Sequence, residues 1–99
     1  MNTATTILNQ LGGNRFLMFT GSKIANYSNN NVVIKLSRNN SKSQFLKVEL
    51  NANDTYTMQF FSIDSKTLNT KVKHNFTDVY CDQLVSIFEN TTELYTKLL

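Results

Sequence analysis

One histidine and one cysteine are the residues of this sequence whose side chains most often perform chemistry. His74 has no cysteine near it, and a metal site would need carboxylates from distant segments that no ligand spacing suggests. Cys81 could ionise as a thiolate at a helix start, but Asp78 and Asp82 beside it oppose that charge. We therefore expect no metal, no cofactor and no catalytic thiol, with His74 near a strand end and Cys81 in the core.

The segment Gly21-Ser22-Lys23 superficially suggests a phosphate-binding loop. That motif ends in Gly-Lys-Ser/Thr, whereas here the serine precedes the lysine, so the required spacing fails. With a single histidine no Ser-His-Asp order is distinctive, and the few carboxylates do not suggest an acid–base pair. We expect that the chain is not an enzyme.

A different chemistry is suggested by lysines and phenylalanines that alternate with apolar residues along predicted strands. Ammonium groups neutralise phosphate and aromatic rings stack on bases, so such a sheet face is typical of single-stranded nucleic-acid binding. The same face could instead be a protein–protein interface, and lysines on strands also prevent edge-to-edge pairing. The candidate interface consists of Lys35, Phe45, Lys47, Phe61, Lys71 and Lys73.

Alternation of period two, separated by Asn-rich turns, predicts the strands that position these side chains. In the last strand Leu68, Thr70 and Val72 are expected on the core side, opposite Lys71 and Lys73. The alternating segments are 31–37, 44–50, 55–63 and 67–74, and the apolar run 15–20 is interpreted as a further, doubly covered strand.

Apolar residues at three- and four-residue spacing predict a helix near each end of the chain. The first covers 3–11 and stops at Gly12 or Gly13, and the second covers 78–97 with Thr77 or Asp78 as its cap. These elements predict an α+β two-layer sandwich, in which a short N-terminal helix and a long C-terminal helix flank an antiparallel meander of four to five strands. Residues 1–99 are expected to form a single domain.

The 99 residues carry a net charge of +3 that is unevenly distributed. Residues 1–77 carry nine Lys or Arg against three acids, whereas residues 78–99 carry one Lys against four acids. A basic body can steer an anionic partner, and the two regions can also attract each other, but for so mild a bias ordinary solvated charge is the simpler interpretation. No apolar run is long enough to span a membrane, and no basic residue precedes the first apolar group as in a secretory signal. We therefore expect a cytoplasmic protein with no membrane partner.

Three stretches together resemble a known group of proteins. They are residues 7–16 (ILNQLGGNRF) running into 18–23 (MFTGSK), 79–84 (VYCDQL) running to 94–96 (LYT), and, between them, 48–51 (VELN) with 54–56 (DTY). The set resembles a family of small, functionally unassigned proteins encoded by bacteriophages and mobile elements, over nearly the whole chain. The resemblance implies an accessory protein, expressed in the cytoplasm of a bacterial host, that binds a host or phage macromolecule.

Two functions stay open at this level. The first is a non-catalytic accessory protein that binds a protein partner, with an inhibitor of a host or defence protein as one concrete version. The second is a single-stranded nucleic-acid-binding module that uses the lysine-bearing sheet face. A homodimer through an edge strand or an apolar face is compatible with both.

Overall fold

The computed structural model describes residues 3–94 of the chain. Residues 95–97 of the predicted second helix lie outside the described residues. The elements are, in chain order, α1 (Thr3–Leu11), α2 (Asn14–Thr20), β1 (Lys23–Tyr27), β2 (Asn31–Lys35), β3 (Phe45–Leu50), β4 (Tyr56–Ile63), β5 (Thr70–Val79), a 3-10 turn (Cys81–Gln83) and α3 (Leu84–Thr92).

The five strands form one antiparallel sheet in the order β1-β2-β3-β4-β5, so each strand pairs with its neighbour in sequence. Polar turns and loops connect them. In the turn between β3 and β4, Asp54 adopts a φ of 64° and the Asn51 N–H donates to the Thr55 carbonyl at 2.7 Å. Asp tolerates this left-handed backbone better than most residues. The predicted α+β fold, an antiparallel meander with terminal helices, is confirmed.

One side of the sheet, which we call the covered face, packs against the helices. Its central side chains are fully buried: Val32, Ile34, Leu46, Val48, Met58 and Phe60. The helices supply the other half of the core with Ile7, Leu11, Phe16, Leu84 and Phe88. The rings of Phe16 and Phe88 meet edge to face, with centroids 4.9 Å apart. Because apolar burial dominates the folding free energy, this layer holds the helices on the sheet.

Residues 15–20 form helix α2, so their interpretation as a strand was wrong. Phe16 and Thr20, four residues apart, are buried on one side of this helix, and the Thr20 hydroxyl donates to the Phe16 carbonyl at 2.6 Å. A short apolar run has no periodicity that separates a strand from a buried helix. Gly21, with a φ of 68°, ends α2 and leads into β1, a strand that the sequence pattern does not predict.

The boundary between the last strand and the last helix also differs from the prediction. Strand β5 runs to Val79, which is buried, and α3 begins only at Leu84. Between them the Tyr80 N–H donates to Gln83 Oε1 at 3.0 Å, so the expected capping by Thr77 or Asp78 was wrong. Extending the strand places Val79 in the core, and that burial outweighs the helical spacing of the sequence.

The phenol of Tyr56, at the start of β4, has a pKa that responds to the fold. Burial raises the pKa of its phenol above the ordinary 10.0, a hydrogen bond with the Gln10 side chain partly opposes the shift, and charges at Cys81 and Asp54 add to it. The folded state therefore holds this proton more tightly than the unfolded state does. The resulting stability is present below pH 10 and is lost as the pH rises through the folded-state pKa.

Replacing Tyr56 by phenylalanine should therefore reduce the loss of stability at alkaline pH. The urea midpoint of Tyr56→Phe should fall less than that of the wild type between about pH 8 and about pH 11. Tyr27→Phe is the matched control, because the Tyr27 ring is 61% exposed. An equal fall of the urea midpoint at alkaline pH in the wild type and both variants would contradict the assignment of this pH dependence to Tyr56.

Truncating Phe88 tests the contact between α3 and the rest of the core. Phe88→Ala should lower the free energy of unfolding by about 3–5 kcal/mol, because the ring is fully buried and leaves a cavity. Ser86→Ala, on the exposed side of the same helix, should change it by less than about 0.5 kcal/mol. Chemical denaturation measures both, and a loss below about 1 kcal/mol for Phe88→Ala would mean that α3 contributes little to the core.

Candidate binding surface on the open sheet face

The side of the sheet away from the helices, which we call the open face, carries a continuous row of side chains across all five strands. The register pairs Lys23 with Lys35, Lys35 with Phe45, Phe45 with Phe61, and Phe61 with Val72. Paired residues of antiparallel strands point to the same face, so the row is a contiguous surface. Two lysines lie at its β1 end and three apolar residues follow.

The centre of this row is a stacked pair of phenylalanine rings. The rings of Phe45 and Phe61 have centroids 5.4 Å apart and an angle of 18° between their planes. Lys35 and Val72 are the next residues of the row on the two sides of the pair. Val72 is 51% exposed, so apolar surface continues from the rings toward the β5 edge of the sheet.

Polar side chains lie beside the apolar centre. The neighbouring row across the sheet consists of Asn26, Val33, Lys47, Gln59 and Asn75. The row beyond it pairs Glu49 with Thr57, and Glu49 accepts a hydrogen bond from the Asn30 amide at 3.4 Å. The open face is therefore an apolar patch bordered by polar groups, among them the lysines Lys23, Lys35 and Lys47.

The structure brings together four residues of the predicted interface: Lys35, Phe45, Lys47 and Phe61. It does not bring Lys71 to them. Lys71 pairs with Ser62, which alternates with Phe61 along β4 and therefore lies on the covered side. The register shifts between Phe60, which pairs with His74, and Phe61, which pairs with Val72. Lys73 lies between these two partners and is an extra residue of β5.

This irregularity is a β-bulge, and it explains the error in the predicted facing of β5. Because of the extra residue, the side chains of β5 before the bulge lie on the opposite faces from those that simple alternation predicts. Val72 therefore lies on the open face, where Lys71 was expected. The expectation that Leu68 and Val72 lie in the core was wrong, since Leu68 is 76% exposed and Val72 is half exposed. Lys23 of β1 belongs to the surface and was missed because its strand was not predicted.

His74 and Cys81, the residues whose types most often perform chemistry, lie away from the open face. His74 lies in the middle of β5, so its expected place near a strand end was wrong. It pairs with Phe60 on the covered side, and its ring is nearly parallel to that of Phe76, with centroids 6.3 Å apart. Both line a cleft of about 580 Å³ beside α3. Cys81 is exposed, so its expected place in the core was wrong. Within residues 3–94 no three His, Cys, Asp or Glu side chains form a possible metal site.

Charge is separated along the strand direction. Of the nine basic residues described, seven lie at the end of the sheet where β2 ends and β3 begins: Lys23, Lys35, Arg38, Lys42, Lys66, Lys71 and Lys73. Glu49, Asp54, Asp78 and Asp82 lie toward the opposite end. Asp64 follows β4 at the basic end, and Glu93 follows Thr92, whose carbonyl accepts a hydrogen bond from Asn40. The basic end therefore attracts anionic groups, and the open-face row begins at this end.

Comparison with known proteins adds no relative, since no family model, no curated protein and no solved structure matches the chain. The resemblance to phage-encoded proteins stays a prediction. Among the described residues, no helix combines the length and the apolar character needed to cross a membrane.

Proposed function

We propose that this chain is a non-catalytic accessory binding protein that docks a protein partner on the open face of its sheet. In keeping with the resemblance found in the sequence, we place it among phage or mobile-element proteins acting in the cytoplasm of a bacterial host. Inhibition of a host or defence protein is the concrete version of this function.

The observation that carries the proposal is the apolar centre formed by Phe45, Phe61 and Val72 with lysines at its border. An apolar centre with a polar rim is the usual anatomy of a protein–protein interface. The two rings stack on each other, so each already has one face occupied. A platform for bases would need ring faces turned outward, and this pairing favours contact through ring edges and apolar side chains instead.

The border residues indicate the chemistry of the partner. Lys23, Lys35 and Lys47 are the cations of the open face, and Glu49 is the acid nearest to them in the sheet register. Complementary potentials speed association and exclude partners of the same charge. The partner should therefore present an apolar patch bordered by carboxylates.

Substitutions on the two faces of the sheet test this surface. Val72→Asp and Phe61→Asp should each reduce capture of the partner from nuclease-treated bacterial host lysate by about tenfold or more, because a carboxylate would be buried in an apolar interface. Quantitative mass spectrometry of the captured proteins provides the measurement. Thermal denaturation of each variant verifies its fold, and Val72, on an exposed edge strand, keeps the test valid if Phe61→Asp unfolds.

Lys47→Glu and Lys71→Glu form a matched pair, since they make the same charge change on opposite faces. Lys47→Glu should weaken capture, whereas Lys71→Glu should leave it within about twofold because its effect is long-range and screened. Equal losses from the two variants, or full capture by Val72→Asp, would refute the assignment of the interface.

The concentration of seven basic residues at one end of the sheet favours a second candidate, single-stranded nucleic acid. Fluorescence polarisation of a labelled oligothymidine distinguishes the two. If about five phosphates are contacted, the affinity should fall by roughly 100-fold between about 50 and about 200 mM salt. We expect no saturable binding. A salt-sensitive complex that is lost in a Lys35→Glu, Lys47→Glu protein would replace the protein-binding proposal.

A further inference from the structure

The loop between β2 and β3 is held in one shape by the side chain of Asn39. Its amide nitrogen donates to the carbonyls of Ser37 at 2.8 Å and Ser43 at 2.9 Å. Its amide oxygen accepts from the backbone N–H of Ser41 at 3.0 Å and from the Ser41 hydroxyl. The carboxamide thus joins the two sides of the loop, and fixes the residues that it encloses.

Backbone hydrogen bonds anchor the same loop to its surroundings. The Asn40 N–H donates to the Thr92 carbonyl at the end of α3, at 3.0 Å, and the Gln44 N–H donates to the Phe61 carbonyl of β4, also at 3.0 Å. Within the loop the Lys42 N–H donates to the Asn39 carbonyl at 3.1 Å, and Lys42 has a φ of 59°. The loop is therefore braced from two elements rather than free to move.

This loop encloses an open cavity of about 370 Å³, within the range of small-ligand sites. Arg38 and Lys42 line it, none of its lining residues is acidic, and neither cation makes an ion pair with a carboxylate of residues 3–94. Ser43 also lines the cavity. It is 3% exposed, and its hydroxyl oxygen has no hydrogen-bond partner.

The unpartnered hydroxyl is the observation that points to a ligand. A buried polar atom without a partner is costly and uncommon, and a bound group could supply the partner that the chain does not. Two cationic residues and a serine that line one cavity match the needs of an oxyanion. A guanidinium binds two of its oxygens at once, an ammonium adds a compact positive charge, and the hydroxyl donates a further hydrogen bond.

We propose that this cavity binds a phosphate group carried as a monoester, with Arg38, Lys42 and Ser43 as its ligands. A monoester is close to a dianion at neutral pH and matches two positive charges, whereas a diester carries only one negative charge. The cavity also lies within a single loop, which suits a terminal phosphate. The site is separate from the open-face row, so a failure of this proposal would not contradict the proposed function, and the reverse also holds.

Titration of the full isotope-labelled chain with inorganic phosphate in low-salt buffer tests the proposal. Backbone amide shifts of residues 37–44 should saturate with a dissociation constant on the order of 1 mM. Arg38→Gln and Lys42→Gln should each weaken binding by about tenfold, and Ser43→Ala by about threefold. Arg38→Lys should restore part of the affinity, because the charge returns without the planar fork.

Lys66→Gln is the matched control, because Lys66 lies at the same end of the sheet but does not line the cavity. It should change the dissociation constant by less than about twofold. A loss as large as that of Lys42→Gln would mean that only general charge attracts phosphate, and would overturn the site. The absence of saturable shifts up to about 20 mM phosphate would overturn it as well.

Two small probes distinguish the possible sources of the phosphate group. O-phosphoserine should bind about as tightly as inorganic phosphate, and the diester thymidylyl-thymidine should bind at least about fivefold more weakly, because it carries a single negative charge. Equal binding of the two probes would overturn the assignment to a monoester.

Discussion

Burial of one face of the sheet under three short helices is the interaction on which the rest of the structure depends. Within residues 3–94 none of the helices exceeds nine residues, so each is too short to be stable by itself in water. Their stability comes from packing against the alternating apolar positions of β2, β3 and β4 and against one another. The contact between Phe16 and Phe88 joins the N-terminal and C-terminal helices above the sheet. Everything exposed on the other face follows from this one-sided packing.

The composition of the open face also follows from this one-sided packing. Since alternate residues of β2, β3 and β4 face the helices, the residues between them are presented together on the opposite side. On β2, β3 and β4 these include two lysines and two phenylalanines, which the register aligns in neighbouring rows. Stacking of the two rings stabilises the pairing of β3 with β4, although neither ring lies in the core. The same pleat that builds the core thus also builds an apolar patch with a cationic border.

The loop between β2 and β3 lies at the basic end of the sheet. The loop that follows β2 is fixed by the carboxamide of Asn39 and is attached to α3 and β4 by backbone hydrogen bonds. Its two cations have no acidic partner in the described part of the chain, and they lie at the end of the sheet where most other basic residues lie. Repulsion among these charges opposes folding, and an anionic ligand or partner would relieve it.

The sequence by itself determined the fold class, the three central strands and the facing of Lys35, Phe45, Lys47 and Phe61. These could be predicted because period-two alternation between Asn-rich turns leaves little choice of register. Tertiary structure decided what local pattern could not. Residues 15–20 became a helix because one side of it fills the core above the sheet, and Val79 ended a strand because burial outweighed helical spacing. The bulge in β5 exchanged Lys71 for Val72 on the open face, and the loop cavity joined Arg38, Lys42 and Ser43. Such features depend on contacts between segments distant in sequence, and no local periodicity encodes them.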